Sequence, residues 1–311
     1  MSTSTPQLEL TPEQRASLAK MSTVGRAAAN ARKKLTSPWA SFFAVALAIL
    51  WTIPTFGLMV TSFRPELAIK TTGWWTFFSN PAVTLTNYRA VLDTQSSAGL
   101  GAYFINSFII VIPSVIIPLS LATLAAYAFA WIDFRGRNIL FVTVFALQIV
   151  PIQVTLLPLL SLYVKAGLAG TFWTIWLSHS TFALPLAIFL IHNFMKEIPR
   201  ELIEAARMDG AGHVKIFFRV LLPLLKPALA AFGIFQFLWV WNDLLVALTF
   251  AGSGTATAPI TVGLANLSGT RDTAWQLLSA GAFVSIVIPV LVFLSLQRYF
   301  VRGLLAGGLK G

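Results

Sequence analysis

The sequence predicts an all-α membrane protein with six transmembrane helices, and three observations support this fold class. The 311-residue chain is 57% hydrophobic and only 11% charged, whereas a soluble domain usually carries about twice that share of charge. Its mean hydropathy is +0.77. Six apolar stretches are each long enough to form the helix of about 20 residues that a bilayer crossing requires.

Taken in chain order, the predicted spans lie near residues 40–62, 103–131, 138–163, 168–194, 227–250 and 274–297. Several of them contain proline, at Pro54, Pro113, Pro118, Pro151, Pro158, Pro185 and Pro289. In a membrane bundle, neighbouring helices satisfy the backbone groups that a proline frees. We therefore interpret these prolines as kinks that help packing, with the lining of a pathway as the alternative.

The Lys and Arg residues fall mainly in alternate loops between the spans. Seventeen of the 22 lie on the side that holds the N-terminal segment, the second and fourth loops and the C-terminal tail. Because cytoplasmic loops carry an excess of Lys and Arg, we predict a multi-pass protein of the cytoplasmic (inner) membrane with both termini in the cytoplasm. The net charge of +11 is then a topology signal, so we expect membrane lipid and no nucleic acid as a partner.

Three parts are predicted along the chain. Residues 1–38 form a basic cytoplasmic segment, residues 39–302 form the transmembrane domain, and residues 303–311 form a cytoplasmic tail. Within the domain, we expect an external loop at 63–102 and a cytoplasmic loop at 195–226. The stretch LTNYRAVL in the external loop suits a short amphipathic helix.

Signatures of enzymes and metal sites are missing from the sequence. The chain has no cysteine, no G-x-x-x-x-G-K-[ST] phosphate loop and no G-x-S-x-G elbow. Its histidines, His179, His192 and His213, are too far apart for a metal pair on one helix turn. We therefore predict no catalytic residue, no metal ligand and no cofactor bound by this chain.

One acidic residue, Asp243 in WVWNDLLVAL, lies clearly inside a predicted span. Placing an acid there costs about 2.5–3.5 kcal/mol on insertion scales. We therefore expect Asp243 to have a structural or functional role that offsets this cost. Asp243 either bonds a neighbouring helix or sits near the outer end of its span, or it lines a cavity. We interpret His179, in the fourth span, as a core histidine with its hydrogen bonds satisfied.

In the fourth loop, the sequence predicts a helix from Arg200 to Asp209. Pro199 begins this helix, and Gly210 ends it in the left-handed conformation. A second helix starts after Gly212 and runs into the bilayer, broken near two prolines. Small side chains in the middle of the first helix allow another protein to approach the backbone closely. This pattern fits a docking surface, and it equally fits an ordinary basic cytoplasmic loop.

The stretch EAARMDGAGHVKIFFRVLLPLLKPAL resembles the E-A-A…G…I-x-L-P signature of ABC importer permeases. The matching residues are Glu204, Ala205, Ala206, Gly210, Leu222 and Pro223, and Val220 replaces the preferred Ile. The stretches SFRPE, INSFII, LAAYAFAWIDFRGR and WNDLLVALTF and the ending AGGLKG are similar to the second permease subunit of carbohydrate importers of the maltose type. The long basic N-terminus departs from many relatives.

This resemblance implies a type I ABC importer permease fold with a cytoplasmic coupling helix. It implies that ATP and Mg bind a dimer of separate ATP-binding subunits, which would explain the missing phosphate loop. The implied coupling residues are Glu201, Glu204, Ala205, Ala206, Arg207, Asp209, Gly210 and Ala211. The tail residues implied to reach the ATPases are Gly303, Gly307, Gly308 and Lys310.

The resemblance also implies a second, homologous permease subunit, an extracytoplasmic sugar-binding protein and import of a sugar by alternating access. The cargo is expected to be an α-glucoside such as maltose, trehalose or sucrose. Candidate residues of the substrate path, with packing as the alternative, are Trp239, Trp241, Asn242 and Asp243. The rival functions are an ion-gradient-driven secondary transporter and an ABC permease for glycerol phosphate or polyamine.

Overall fold

The computed structural model describes residues 38–94, 99–268 and 274–308, with side chains described as far as residue 297. Within these ranges the chain is helical, with no strand. The described chain divides into two compact units, with the boundary between Leu58 and Met59. The first helices are α1 (Pro38–Ser62), α2 (Glu66–Thr71), α3 (Thr86–Leu92), α4 (Gly101–Trp131), α5 (Arg137–Ala146), α6 (Ile152–Lys165) and α7 (Phe172–Lys196). Those that follow are α8 (Arg200–Met208), α9 (His213–Leu224), α10 (Lys226–Trp241), α11 (Leu245–Phe250), α12 (Ile260–Ser268) and α13 (Trp275–Gly308).

The all-α membrane fold class is confirmed. Among the described residues, four helices are long and apolar enough to cross a bilayer: α1, α4, α7 and the Trp275–Gln297 part of α13. Two further pairs, α5 with α6 and α9 with α10, pass the same test together but are bent by 101° and 71°. Counting each bent pair as one span gives the predicted six.

The third span is not the single kinked helix that we predicted. Val150 and Pro151 adopt extended conformations, with ψ of 120° and 129°, and they separate α5 and α6. Proline lacks an N–H and disfavours helical geometry in the residue before it, so the helix stops here. The other prolines named above lie inside helices, as predicted.

The fifth span also ends earlier than predicted. The helix α10 stops at Trp241, and residues 242–244 separate it from the short helix α11. At its other end, α9 contains a π-helical turn at Phe217–Leu221 and a break at Leu225 precedes α10. Asn242 and Asp243 therefore lie outside regular helix.

Helices α4 and α7 pack against each other along their length and run in the same direction. Early residues of both, Val111 and Ile175, share one buried cluster. Late residues of both share another, which contains the small side chains Ala122, Ala126, Ala183 and Ala187. Small residues one turn apart allow membrane helices to approach closely. The loops that follow α4 and α7 consequently lie at the same end of the bundle.

The predicted external loop is ordered by one buried arginine. The Arg64 guanidinium donates to the Ala68 carbonyl and to the hydroxyl groups of Thr72 and Thr76. Asn87, on α3, donates to the carbonyls of Ser62 and Arg64. The helix predicted in LTNYRAVL is confirmed as α3.

Candidate functional site

The surface helix α8 is the first component of the candidate site. Pro199 holds an extended conformation and α8 begins at Arg200, as the sequence predicted. The helix is strongly amphipathic, and Ile203 is its buried residue, with 3% of its surface exposed. A single buried side chain therefore fixes one face of α8 against the bundle and leaves the opposite face open.

The end of α8 is a Schellman motif. Gly210 has φ of +73°, its N–H donates to the Arg207 carbonyl at 2.9 Å, and the Ala211 N–H donates to the Ala206 carbonyl at 2.9 Å. These are the two hydrogen bonds that define the motif. The predicted left-handed glycine is confirmed, and it turns the chain into α9 within a few residues.

The open face of α8 and α9 combines apolar and charged side chains. Leu202, Met208, Val214 and Phe218 are exposed, Met208 by 83%. The charged residues Glu201, Glu204, Arg207 and Asp209 of the same segment are also exposed. Among the described residues, none of these four charges forms an ion pair within the chain. Exposed apolar side chains among charges that form no ion pair within the described chain are compatible with a surface that binds another protein.

Two contacts connect this surface to the membrane helices. Ile203, Ile216 and Phe217 belong to the same buried cluster as the late residues of α4 and α7. The Tyr127 hydroxyl of α4 lies 2.7 Å from His213 Nδ1 of α9 in a hydrogen bond. We did not predict this pair, because nothing in the sequence links residues 86 positions apart.

The Asp243 side chain bonds the first turn of α11 from the position before the N-cap residue, Leu244. Its carboxylate accepts hydrogen bonds from the backbone N–H groups of Val246 at 3.3 Å and Ala247 at 2.9 Å. The Thr261 hydroxyl donates to the Asp243 carbonyl at 2.6 Å. His179 Nε2 lies 3.7 Å from the carboxylate. The carboxylate thus bonds the following turn of its own chain, and the backbone carbonyl of Asp243 joins α12, which favours the structural interpretation of this residue.

His179 is buried, but its hydrogen bonds are not complete, so the prediction of a satisfied core histidine is wrong at one atom. His179 Nδ1 has no partner among the described residues, and the same holds for Gln236 Oε1 and for the Ser114 and Ser180 hydroxyl groups. The Gln236 amide donates to the Ser114 carbonyl at 3.2 Å. We call these four residues the polar cluster; they lie on α4, α7 and α10, and the bond between Gln236 and Ser114 joins α10 to α4.

Beside this cluster lies a pocket of about 240 Å³, which we call the bundle pocket. Its lining includes two amides, Gln148 and Gln236, and the aromatic rings of Phe182, Phe235 and Trp239. Trp239 also meets His179 edge to face, with ring centroids 5.5 Å apart. One acceptor atom of the lining, Gln236 Oε1, has no partner among the described residues. An acceptor of this kind beside aromatic rings suits a neutral ligand that carries hydroxyl groups.

The candidate path residues therefore take different positions. Trp239 lines the bundle pocket. Trp241 is 1% exposed, donates its indole N–H to the Ser285 carbonyl at 3.0 Å and stacks on Phe237, so it belongs to the core. Asn242 donates to the Leu238 carbonyl at the end of α10. The amides Gln148 and Gln236 were not among our candidates, since a single glutamine in an apolar span gives no indication of a pocket.

The predicted terminal segments are only partly described. Residues 1–37 of the basic segment lie outside the described residues. The backbone at Gly303, Gly307 and Gly308 continues the helix α13, so the tail follows the last span without a break as far as residue 308. Lys310 lies outside the described residues.

A bundle of membrane-crossing helices that carries an amphipathic surface helix between two of its spans defines a multi-pass membrane protein. The chain belongs to the family described as binding-protein-dependent transport system inner membrane component, whose model matches residues 119–305. The matched region contains α8, α9, the bundle pocket and the members of the polar cluster other than Ser114.

Two relatives are 50% identical to the chain. One is the osmoprotective compounds uptake permease protein GgtD of Synechocystis sp., matched over 270 residues that cover 86% of this chain and 90% of the relative. The other is the alpha-glucoside transport system permease protein AglG of Rhizobium meliloti, matched over 243 residues. That match covers 76% of this chain and 63% of AglG.

The fold also matches solved structures of ABC transporters. A chain of a bacterial ABC transporter involved in import of the acidic polysaccharide alginate aligns with a TM-score of 0.70 and 21% identity. The alignment covers 85% of this chain and 98% of that one. A second alginate transporter structure, in complex with a periplasmic protein bound to an alginate pentasaccharide, aligns with a TM-score of 0.58 and 16% identity over 87% of this chain and 96% of that one. The predicted ABC importer permease fold is thereby confirmed.

Proposed function

We propose that the chain is one of two permease subunits of an ATP-driven importer that carries a sugar across the inner membrane. The observation that carries this proposal is α8, a surface helix fixed to α4 and α7 on one side and open on the other. The cargo we propose is an α-glucoside such as maltose, trehalose or sucrose. AglG, a relative named as an alpha-glucoside permease, supports this choice.

The face that holds α8 is proposed to be cytoplasmic, together with both termini. The concentration of Lys and Arg on that side supports this orientation. There, α8 docks on an ATP-binding subunit, and the contact is formed by Glu201, Glu204, Ala205, Ala206, Arg207, Asp209, Gly210 and Ala211. ATP and Mg bind the two ATP-binding subunits, and a sugar-binding protein delivers the cargo at the opposite face.

The geometry explains how motion of the ATP-binding subunits reaches the bundle. When ATP closes these subunits, they draw the docked α8 with them. Since Ile203, Ile216 and Phe217 pack in one cluster with α4 and α7, a displacement of α8 moves those helices as a body. The bundle then alternates between inward and outward access. Nucleotide shifts this equilibrium only by its differential affinity for the two states, so α8 must stay docked in both.

The function is tested by uptake into proteoliposomes that contain both permease subunits, the ATP-binding subunits and the binding protein. We expect accumulation of radiolabelled maltose, trehalose or sucrose that requires ATP and persists when ionophores collapse all ion gradients. Because the chain has no cysteine, Ala205→Cys supplies a unique thiol for crosslinking. We expect it to crosslink to the ATP-binding subunit. Uptake that follows an ion gradient and needs no ATP would contradict the proposal.

Trp239→Leu is expected to weaken sugar binding in the bundle pocket. A sugar ring presents C–H groups that pack on an aromatic face, and an aromatic contact contributes about 1 kcal/mol. Loss of that amount raises the KM for uptake roughly fivefold and leaves ATP hydrolysis coupled. The matched control is Trp173→Leu, the same change on an exposed face of α7. Equal KM values for the two variants would remove the bundle pocket from the sugar path.

A further inference from the structure

A second pocket, of about 390 Å³, lies at the end of the bundle that holds α8. We call it the junction pocket, because α4 and α7 end at its walls with Trp131 and Lys196, and α8 begins there with Arg200. It shares no lining residue with the bundle pocket. Since α4 and α7 are both membrane-crossing helices, their common end places the junction pocket at the bilayer surface.

The walls of the junction pocket carry more positive than negative charge. Its charged side chains are Asp133, Arg137, Lys196, Arg200, Glu204 and Arg207. Asp133 is already paired with Arg137 at 2.7 Å, and 97% of its side chain is exposed. The three remaining cations face one remaining carboxylate, that of Glu204. The pocket therefore favours an anion.

Two buried nitrogen atoms of the junction pocket lack hydrogen-bond partners within the described parts of the chain: Trp131 Nε1 and His192 Nδ1. His192 is 8% exposed, and its ring lies against Phe141 with centroids 4.3 Å apart. An indole N–H can only donate, and a buried donor without an acceptor is unfavourable. A ligand that fits here must bring an acceptor to Trp131.

We propose that the junction pocket binds a phosphate group. A phosphate carries negative charge and several acceptor oxygen atoms, so one group can accept from the Trp131 N–H and from Lys196 and Arg200 together. The headgroup of an anionic phospholipid supplies this chemistry at a bilayer surface, and soluble phosphate supplies the same chemistry. Pocket walls formed by Phe129 and Phe141 suit the glycerol and upper acyl part of a lipid.

Phosphate binding connects α8 to the membrane helices by a second route. Arg200 is the first residue of α8, and Ile203 lines the junction pocket as well as anchoring the helix. A phosphate held by both Arg200 and the end of α7 therefore stiffens the position of α8. The inference does not depend on which solute the protein carries.

The experiment uses the purified, assembled transporter without nucleotide or sugar. In one arm, complexes are equilibrated in phosphatidylcholine vesicles with and without phosphatidylglycerol, and retained phosphatidylglycerol is counted by native mass spectrometry. In the other arm, equilibrium dialysis measures binding of radiolabelled inorganic phosphate. Lys196→Gln and Trp131→Phe are each expected to weaken the binding about tenfold, which corresponds to about 1.4 kcal/mol.

The matched control is Lys215→Gln, which removes the same charge from an exposed position on α9 outside the junction pocket. An effect of Lys196→Gln and Trp131→Phe confined to phosphatidylglycerol identifies a lipid site, and an effect confined to inorganic phosphate identifies a soluble ligand. Equal retention of both probes by all three variants and the parent protein would overturn the proposal. The proposal would also be overturned if the variants differed from the parent protein only in the amount of ATP-binding subunit that co-purifies.

Discussion

Gly210→Val is expected to abolish sugar import while the protein still inserts in the membrane. Gly210 has φ of +73°, a conformation in which a β-branched residue is a steric outlier. Valine there opens the Schellman motif and redirects the chain between α8 and α9. The exposed face of α8 then no longer meets the ATP-binding subunit at the right angle, and ATP-dependent uptake is lost.

Gly212→Val is the matched control for this change. Gly212 lies two residues away with φ of −73°, which any residue adopts, and a Cβ atom built at either glycine meets nothing within 4 Å. The two variants therefore add the same side chain to equally open positions and differ in the backbone angle. Uptake, membrane content and ATPase activity are measured for both. Equal uptake by the two variants would show that the turn at Gly210 is not needed for coupling.

Local rules predicted α8 well, because its boundaries depend on neighbouring residues alone. Proline sets an extended conformation at Pro199, and glycine supplies the left-handed residue at Gly210; both effects act within one helical turn. The apolar length of the spans is equally local, and their number was predicted correctly when each bent pair is counted as one. These are the parts of the fold that a single sequence specifies directly.

The effect of an internal proline was not predictable from the sequence. Pro158 continues a helix, whereas Pro151 ends one and separates segments bent by 101°. Both residues lack an N–H, and the outcome depends on whether surrounding helices satisfy the freed carbonyl groups. That information lies in tertiary packing, and no local pattern distinguishes the two positions.

Both pockets were missed for a related reason. The junction pocket brings Trp131 and His192 together from helices that are far apart in sequence, and the bundle pocket does the same with Gln148 and Gln236. The prediction for Asp243 recognised that an acid inside a span needs partners, but the partners are backbone N–H groups three and four residues ahead. Hydrogen bonds of this kind become visible only once the end of α10 is known.

Ile203→Ala is expected to uncouple ATP hydrolysis from uptake. Ile203 is the buried residue of α8, and truncation of a buried isoleucine costs about 2–5 kcal/mol. The exposed docking face is unchanged, so the ATP-binding subunits still associate and hydrolyse ATP. If about 1.4 kcal/mol of the loss falls on the contact between α8 and the bundle, the ratio of sugar imported to ATP hydrolysed falls about tenfold.

Ile139→Ala provides the comparison, since it makes the same truncation on α5 at a side chain that is 76% exposed. Sugar uptake and ATP hydrolysis are measured in the same proteoliposomes, and their ratio is compared between the two variants. Coupling requires that α8 be attached both to the ATP-binding subunit and to the bundle. Loss of the buried attachment therefore lowers the ratio, whereas loss of docking lowers uptake and stimulated hydrolysis together. If Ile203→Ala lowered both activities in proportion, Ile203 would act through docking of α8 and not through its attachment to the bundle.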